Sequence, residues 1–155
     1  NLLLRDNVKM HFTASAWVLN PSKDKVLMLY HNIYQSWSWS GGHADGEGDL
    51  LSVAMKEVKE ESGLVSLKPL SDSPISIEIL GVQPHYKKQK YVSAHLHLNY
   101  TFLLHNTKEE KLKICPEENS KVDWLSPDEA VRSSTEAWMK PIYKKLNQKM
   151  RKYLG

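Results

Sequence analysis

Residues 38–64 have the sequence SWSGGHADGEGDLLSVAMKEVKEESGL, and this stretch decides both the fold and the location of the chemistry. A loop rich in glycine leads into an amphipathic segment. Asp49 is a good helix N-cap, and Gly63 stands where a left-handed terminating residue belongs. The sequence therefore predicts a helix over residues 49–62 that follows directly on the glycine-rich loop.

Three glutamates, Glu57, Glu60 and Glu61, lie on an unusual part of this predicted helix. At about 100° per residue, Glu57 and Glu61 fall inside the apolar arc and Glu60 falls at its border, whereas Lys56 and Lys59 point away. Sheltered carboxylates about 5–6 Å apart would repel by about 3 kcal/mol per pair at an effective dielectric of about 20. Such a triple must be protonated, paired with cations or bound to a hard ion such as Mg²⁺. An acidic surface salt-bridged to the two lysines explains the helix alone equally well.

The segments around this helix predict a mixed sheet covered by helices. Residues 11–30 alternate in polarity around a Pro-containing turn and predict a hairpin, and residues 31–48 predict a long functional loop. In that loop, Gly41 and Gly42, with Gly46 and Gly48 nearby, would let the backbone approach a ligand closely and would give the loop unusual torsions. Further strands are predicted at residues 73–83, 91–104 and 121–125, and further helices from Ser126 and through the C-terminal tail. This order of elements favours an α/β fold.

Composition limits the classes of function. The length of 155 residues fits one domain over residues 1–155, and no apolar stretch approaches the roughly 20 residues that span a bilayer. The single cysteine, Cys115, cannot form an internal disulfide, which favours a cytoplasmic location. The net charge is only +3, and the basic residues of 140–152 alternate with apolar ones at helical spacing. We expect a docked C-terminal helix and no binding of long nucleic acid or membrane, while the charge leaves small anionic substrates open.

Other side chains are candidates for binding a substrate. His95, His97 and Asn99 share one face of a predicted strand, which could line a substrate cleft or simply be polar. A His-x-His pair on a strand could bind a transition metal, but no third ligand is apparent nearby in the sequence. His43 could contact phosphate or be a plain loop residue. Trp37 could stack on a base, although buried packing is the simpler interpretation.

Residues 42–64 closely resemble the signature of the Nudix hydrolase family, G-x5-E-x7-R-E-U-x-E-E-x-G-U, where U is a bulky aliphatic residue. The alignment that starts at Gly42 puts Glu57, Glu60 and Glu61 at the three helix glutamates. The flanking WSWSGGH and KVDWLSPDEA resemble the lead-in and the closing strand and helix start of the family. The likeness therefore extends over nearly the whole chain.

This resemblance implies a Nudix-type α/β/α sandwich with a central mixed sheet that hydrolyses a diphosphate bond in a nucleoside diphosphate linked to another group. It implies that Glu57, Glu60, Glu61 and the carbonyl of Gly41 hold Mg²⁺ or Mn²⁺. The general base could be Glu61 or a loop carboxylate, with Glu117 and Glu118 as the nearest candidates. The family also includes many dimers, so a homodimer is compatible with the resemblance.

Two departures from the signature keep other functions open. Gly48 stands at the glutamate of G-x5-E, and Lys56 replaces the arginine, which keeps the charge but loses the bidentate fork. Both suggest a catalytically weak or silent ligand-binding or sensor module as the main alternative. Another alternative is an isomerase of isoprenoid diphosphates, which shares the fold but typically uses a catalytic cysteine. Cys115 lies far along the chain from the glycine-rich stretch and counts against it.

Overall fold

The computed structural model describes all 155 residues, which form ten strands and three helices. The strands are β1 (Met10–Leu19), β2 (Val26–His31), β3 (Ser36–Ser38), β4 (Ser40–His43), β5 (Leu67–Pro69), β6 (Ser76–Val82), β7 (His85–Lys87), β8 (Lys90–Val92), β9 (His95–Asn106) and β10 (Asn119–Leu125). The helices are α1 (Leu50–Ser62), α2 (Pro127–Arg132) and α3 (Lys140–Leu154).

Eight of the strands form one mixed sheet. Its order is β10-β2-β1-β9-β5, with β3 beside β2, β4 beside β1 and β6 beside β9. The long central strands β1 and β9 run parallel, so that His11 pairs with His97 and Leu19 with His105. The other pairings in the sheet are antiparallel, and β7 and β8 form a separate hairpin. The parallel register aligns the N-terminal ends of β1 and β9 at one edge of the molecule.

Helices cover both faces of this sheet, because the C-terminal half of β1 is apolar on both sides. Ala14, Ala16 and Val18 pack in a core cluster with the buried side of α1. Trp17 and Leu19 point the other way and pack with buried residues of α2 and α3. The predicted α/β sandwich with a central mixed sheet is confirmed.

Two sequence-based predictions about strands are wrong. The predicted loop 31–48 contains β3, which pairs with β2, and β4, which pairs with β1. The strand predicted over residues 91–104 is interrupted, since β8 ends at Val92 and β9 begins at His95. Glycine has low strand propensity, so β4 depends on its pairing with β1, which lies far away in sequence.

Local capping explains the helix ends, which the sequence predicts well. Asp49 accepts a hydrogen bond from the backbone N–H of Ser52 at 3.2 Å, and Gly63 ends α1 with φ of 78°. Ser126 likewise caps α2, and the predicted C-terminal helix is α3. None of these helices combines the length and the apolar character needed to cross a membrane.

Candidate active site

The site is built where α1 lies against β4. A Cβ atom on Gly42 would lie 2.3 Å from the Cδ atom of Glu57, and one on Gly41 would lie 2.8 Å from the carbonyl oxygen of Ala14. Both glycines therefore leave room for the helix and for β1 to approach the β4 backbone. Neither has a positive φ, whereas Gly46 in the same loop has a φ of 95°, so the unusual torsion expected of this loop lies at Gly46.

Glu61 connects the end of α1 to β4. Its Oε1 atom accepts hydrogen bonds from the hydroxyl of Ser40 at 2.8 Å and from the backbone N–H of Gly41 at 3.1 Å. The side chain of Asn119 donates to the carbonyl oxygen of Glu61 at 3.0 Å. These bonds fix a buried carboxylate and use only one of its two oxygens.

The electrostatics of the helix glutamates reflect their burial. Burial raises the pKa of Glu57 to about 7 and that of Glu61 to about 8, and neighbouring carboxylates add to both shifts. Glu60 is exposed and lies 3.8 Å from the ammonium group of Lys56, which is itself exposed. This surface pair contributes only tenths of a kcal/mol. The site therefore lacks a buried positive charge that would let both inner carboxylates ionise.

A cleft of about 510 Å³ gathers the predicted metal-site residues. Gly41, Glu57, Glu60 and Glu61 all line it, together with Glu118 but not Glu117. Carboxylate and carbonyl oxygens are the ligands that Mg²⁺ prefers, and a divalent ion would supply the missing positive charge. The donor set and its electrostatics therefore fit the cation that the resemblance implies.

The predicted substrate-binding residues separate into two groups. His43, His95 and His97 line the same cleft as the glutamates. Trp37 lines neither this cleft nor the smaller cavity of about 290 Å³ beside it, and its ring packs edge-on against Tyr30. The neighbouring Trp39 lines the smaller cavity.

Sequence reasoning missed His11, which also lines the cleft. Its ring centroid lies 4.9 Å from that of His95, 5.0 Å from that of His97 and 5.1 Å from that of His43. The structure thus assembles four histidines from β1, β4 and β9. The parallel pairing of β1 with β9 creates this cluster, and no local pattern in the sequence reveals that pairing.

Comparison with known proteins identifies the class to which this fold and site belong. The family model described as NUDIX domain matches residues 9–146, so the chain belongs to the Nudix family. This membership supports hydrolysis of a pyrophosphate bond as the general class of reaction. A comparison with curated protein sequences found no significant match.

Solved structures share the fold. An Ap4A hydrolase of C. elegans in a binary complex has 18% identity and a TM-score of 0.66, with 88% of this chain and 95% of that chain covered. A NUDIX family hydrolase of Clostridium perfringens has 18% identity and a TM-score of 0.65, with coverage of 91% and 96%. The E. coli dihydroneopterin triphosphate pyrophosphohydrolase has 16% identity and a TM-score of 0.61, with coverage of 86% and 92%. At these identities the likeness concerns the fold.

Gly42→Ala tests the contact between β4 and α1. The new Cβ would meet the flexible end of Glu57, so we expect that carboxylate to move and the affinity for Mn²⁺ to fall about tenfold, or about 1.4 kcal/mol. Calorimetric titration with Mn²⁺ measures the change. Gly48→Ala is the matched control, because its Cβ would meet no atom within 4 Å. Equal affinity in both variants would contradict the assigned position of Glu57.

Proposed function

We propose that the protein is a metal-dependent hydrolase that cleaves the diphosphate bond of a nucleoside diphosphate linked to another group, or of a related compound. The observation that carries this proposal is the convergence of Glu57, Glu60, Glu61 and Gly41 on one cleft. The raised pKa values of Glu57 and Glu61 add support, because a bound cation would stabilise the ionised form of both carboxylates.

The three glutamates and the carbonyl oxygen of Gly41 are the proposed ligands of Mg²⁺ or Mn²⁺. When bound, the ion would neutralise phosphate oxygens and lower the pKa of the attacking water. Ser40 and the N–H of Gly41 hold Glu61 through Oε1, which leaves Oε2 free for the cleft. We propose that Lys56, which stands in place of the signature arginine, acts through its ion pair with Glu60.

Proton transfer needs a base within reach of the water. Glu118 lines the cleft whereas Glu117 does not, so Glu61 and Glu118 are the candidates we retain. His43, His95 and His97 are proposed to line the substrate path beside them. Trp37 is the weakest of the predicted substrate contacts, because its ring packs on Tyr30 away from both cavities.

The substrate class follows from size and charge. The cleft of about 510 Å³ suits a small molecule, and its carboxylates require a metal to accept an anionic one. The names of the C. elegans and E. coli proteins of similar fold refer to Ap4A and to dihydroneopterin triphosphate, which both contain phosphoanhydride bonds. We propose a substrate of this general kind and a homodimer in solution.

Two further features bear on location and domain organisation. Cys115 as a free thiol supports a cytoplasmic location, and one sheet that runs through the chain supports a single domain over residues 1–155.

A ligand-binding module without turnover is the second candidate. Gly48 stands where the signature has a glutamate, so the site has one carboxylate fewer than the signature provides, and Gly48 does not line the cleft. An isomerase that uses Cys115 has less support, because this cysteine lines neither cavity.

A substrate screen tests the proposed activity. The purified protein is incubated with nucleoside diphosphate derivatives, sugar nucleotides, dinucleoside polyphosphates and NADH, with Mg²⁺ or with a chelator. We expect phosphate or nucleotide release that requires Mg²⁺. Tight binding of one of these compounds without release would instead support the ligand-binding module.

A further inference from the structure

Four histidines form a compact group at the N-terminal ends of β1 and β9. His11 stands beside His97 in the parallel register, and the ring centroids of His95 and His97 are 4.9 Å apart. His43, at the end of β4, packs against His11 and His97 with centroid distances of 5.1 Å. We name His11, His95 and His97 the histidine triad.

Hydrogen bonds define which nitrogen of two triad rings carries the proton and which carries the lone pair. The Nδ1 atom of His11 lies 3.0 Å from the carbonyl oxygen of Asn7, and Nδ1 of His95 lies 2.8 Å from that of Ser93. A carbonyl oxygen only accepts, so each Nδ1 carries the proton and each Nε2 presents a lone pair. Metal-binding histidines in proteins are commonly oriented by this bond.

The Nε2 atom of His11 is the least satisfied atom of the triad. His11 is only 4% exposed, and its Nε2 atom is buried without any hydrogen-bond partner. Leaving such an atom unpaired carries the full cost of removing it from water. A ligand at this point would remove that cost, and a ligand for a bare imidazole lone pair is a proton donor or a metal ion.

The triad nitrogens already converge. One ring nitrogen from each of the three residues lies within 4.8 Å of the others. The Nε2–H group of His97 donates a hydrogen bond to the Nε2 atom of His95 at 3.1 Å, and a metal ion bound to both atoms would take the place of this proton. Tetrahedral Zn²⁺ with Zn–N bonds of about 2.0–2.1 Å separates its ligand nitrogens by about 3.3 Å. Nitrogens 4.8 Å apart would therefore have to approach by about 1.5 Å to bind one ion.

The charge state of the cluster favours a cation over an anion. Burial disfavours a positive charge on the rings of His11, His43 and His97, because it lowers the pKa of each. Neutral imidazoles attract phosphate poorly but are the usual ligands of transition metals. The nearby guanidinium of Arg5 is bound to both carboxylate oxygens of Asp45 at 2.8 and 2.7 Å, which offsets its repulsion of a metal ion.

We propose that His11, His95 and His97 bind a divalent transition-metal ion, with Zn²⁺ the best match to three imidazole ligands. Three protein ligands leave a coordination position for water or a substrate oxygen, and the triad lines the same cleft as the helix glutamates. Nitrogen ligands distinguish this site from the oxygen ligands proposed for Mg²⁺. The protein would then hold two chemically different metal sites in one cleft.

Zn²⁺ competition against a chromophoric chelator tests the triad. We expect one Zn²⁺ to bind to the full chain, and His95→Ala and His97→Ala each to weaken it about 100-fold or more, since even loss of residues that only orient ligands costs 10–100-fold. Both side chains are partly exposed, so these variants should fold, and thermal unfolding checks this. His105→Ala is the matched control on the same strand, where the ring contacts the carbonyl oxygen of Pro21.

The variant Glu60→Gln with Glu61→Gln separates this site from the proposed catalytic one. We expect it to keep Zn²⁺ affinity while it loses Mn²⁺ affinity. The proposal would be overturned if Zn²⁺ affinity were unchanged in both His95→Ala and His97→Ala. It would also be overturned if Zn²⁺ were lost in the glutamine variant, because the ion would then lie on the α1 carboxylates.

Discussion

Glu60→Gln combined with Glu61→Gln should abolish Mn²⁺ binding at α1 and reduce metal-dependent hydrolysis below detection. The two substitutions remove two of the three α1 carboxylates that line the cleft, and a neutral amide oxygen is a much weaker ligand for a hard cation. The fold should persist, because the amide oxygen of the glutamine introduced at position 61 can still accept from Ser40 and from the N–H of Gly41. Calorimetry with Mn²⁺ and the Mg²⁺-dependent release assay measure the two effects.

A variant with the same change of charge controls for long-range electrostatics. Asp72→Asn with Glu109→Gln removes two exposed carboxylates that line neither cavity. We expect it to bind Mn²⁺ like the unaltered protein. If the Glu60 and Glu61 variant also kept its Mn²⁺ affinity, the metal assignment on α1 would be refuted, whatever activity remained.

The elements that the sequence predicts well are those whose determinants are local. The ends of α1 follow from Asp49 and Gly63, which are adjacent to the helix that they cap. The greater shelter of Glu57 and Glu61 than of Glu60 follows from helical periodicity, since Glu61 is buried, Glu57 half-buried and Glu60 exposed. The Nudix resemblance depends on the same short stretch, and the match of the family model to residues 9–146 confirms it.

The features that the sequence does not reveal depend on pairing between distant segments. β4 is a strand because it pairs with β1. Gly41 and Gly42 are required there because Ala14 and Glu57 lie too close for a Cβ atom, and not because of their backbone torsions. His11 joins His97 only through the parallel pairing of β1 with β9. His11 at the start of β1 is the available signal in the sequence, but the sequence does not show which residue pairs with it.

Trp17→Ala is expected to cause the largest loss of stability, about 3–5 kcal/mol, because it removes a fully buried indole and leaves a cavity. The Trp17 ring stacks on Tyr143 of α3 with centroids 5.4 Å apart, so the loss should weaken the docking of the C-terminal helix on the sheet. Urea unfolding measured by circular dichroism gives the change in the free energy of unfolding.

Trp17→Phe is the informative comparison, because it separates packing from the indole N–H. The Nε1 atom of Trp17 is buried without a hydrogen-bond partner, and removal of such a donor recovers about 1–3 kcal/mol of desolvation cost. We therefore expect Trp17→Phe to cost about 1 kcal/mol or less, although phenylalanine is smaller. Equal losses for the two variants would contradict this account of Nε1. Since Trp17 faces α3 and the glutamates lie on α1 across the sheet, both variants should retain Mn²⁺ affinity wherever they remain folded.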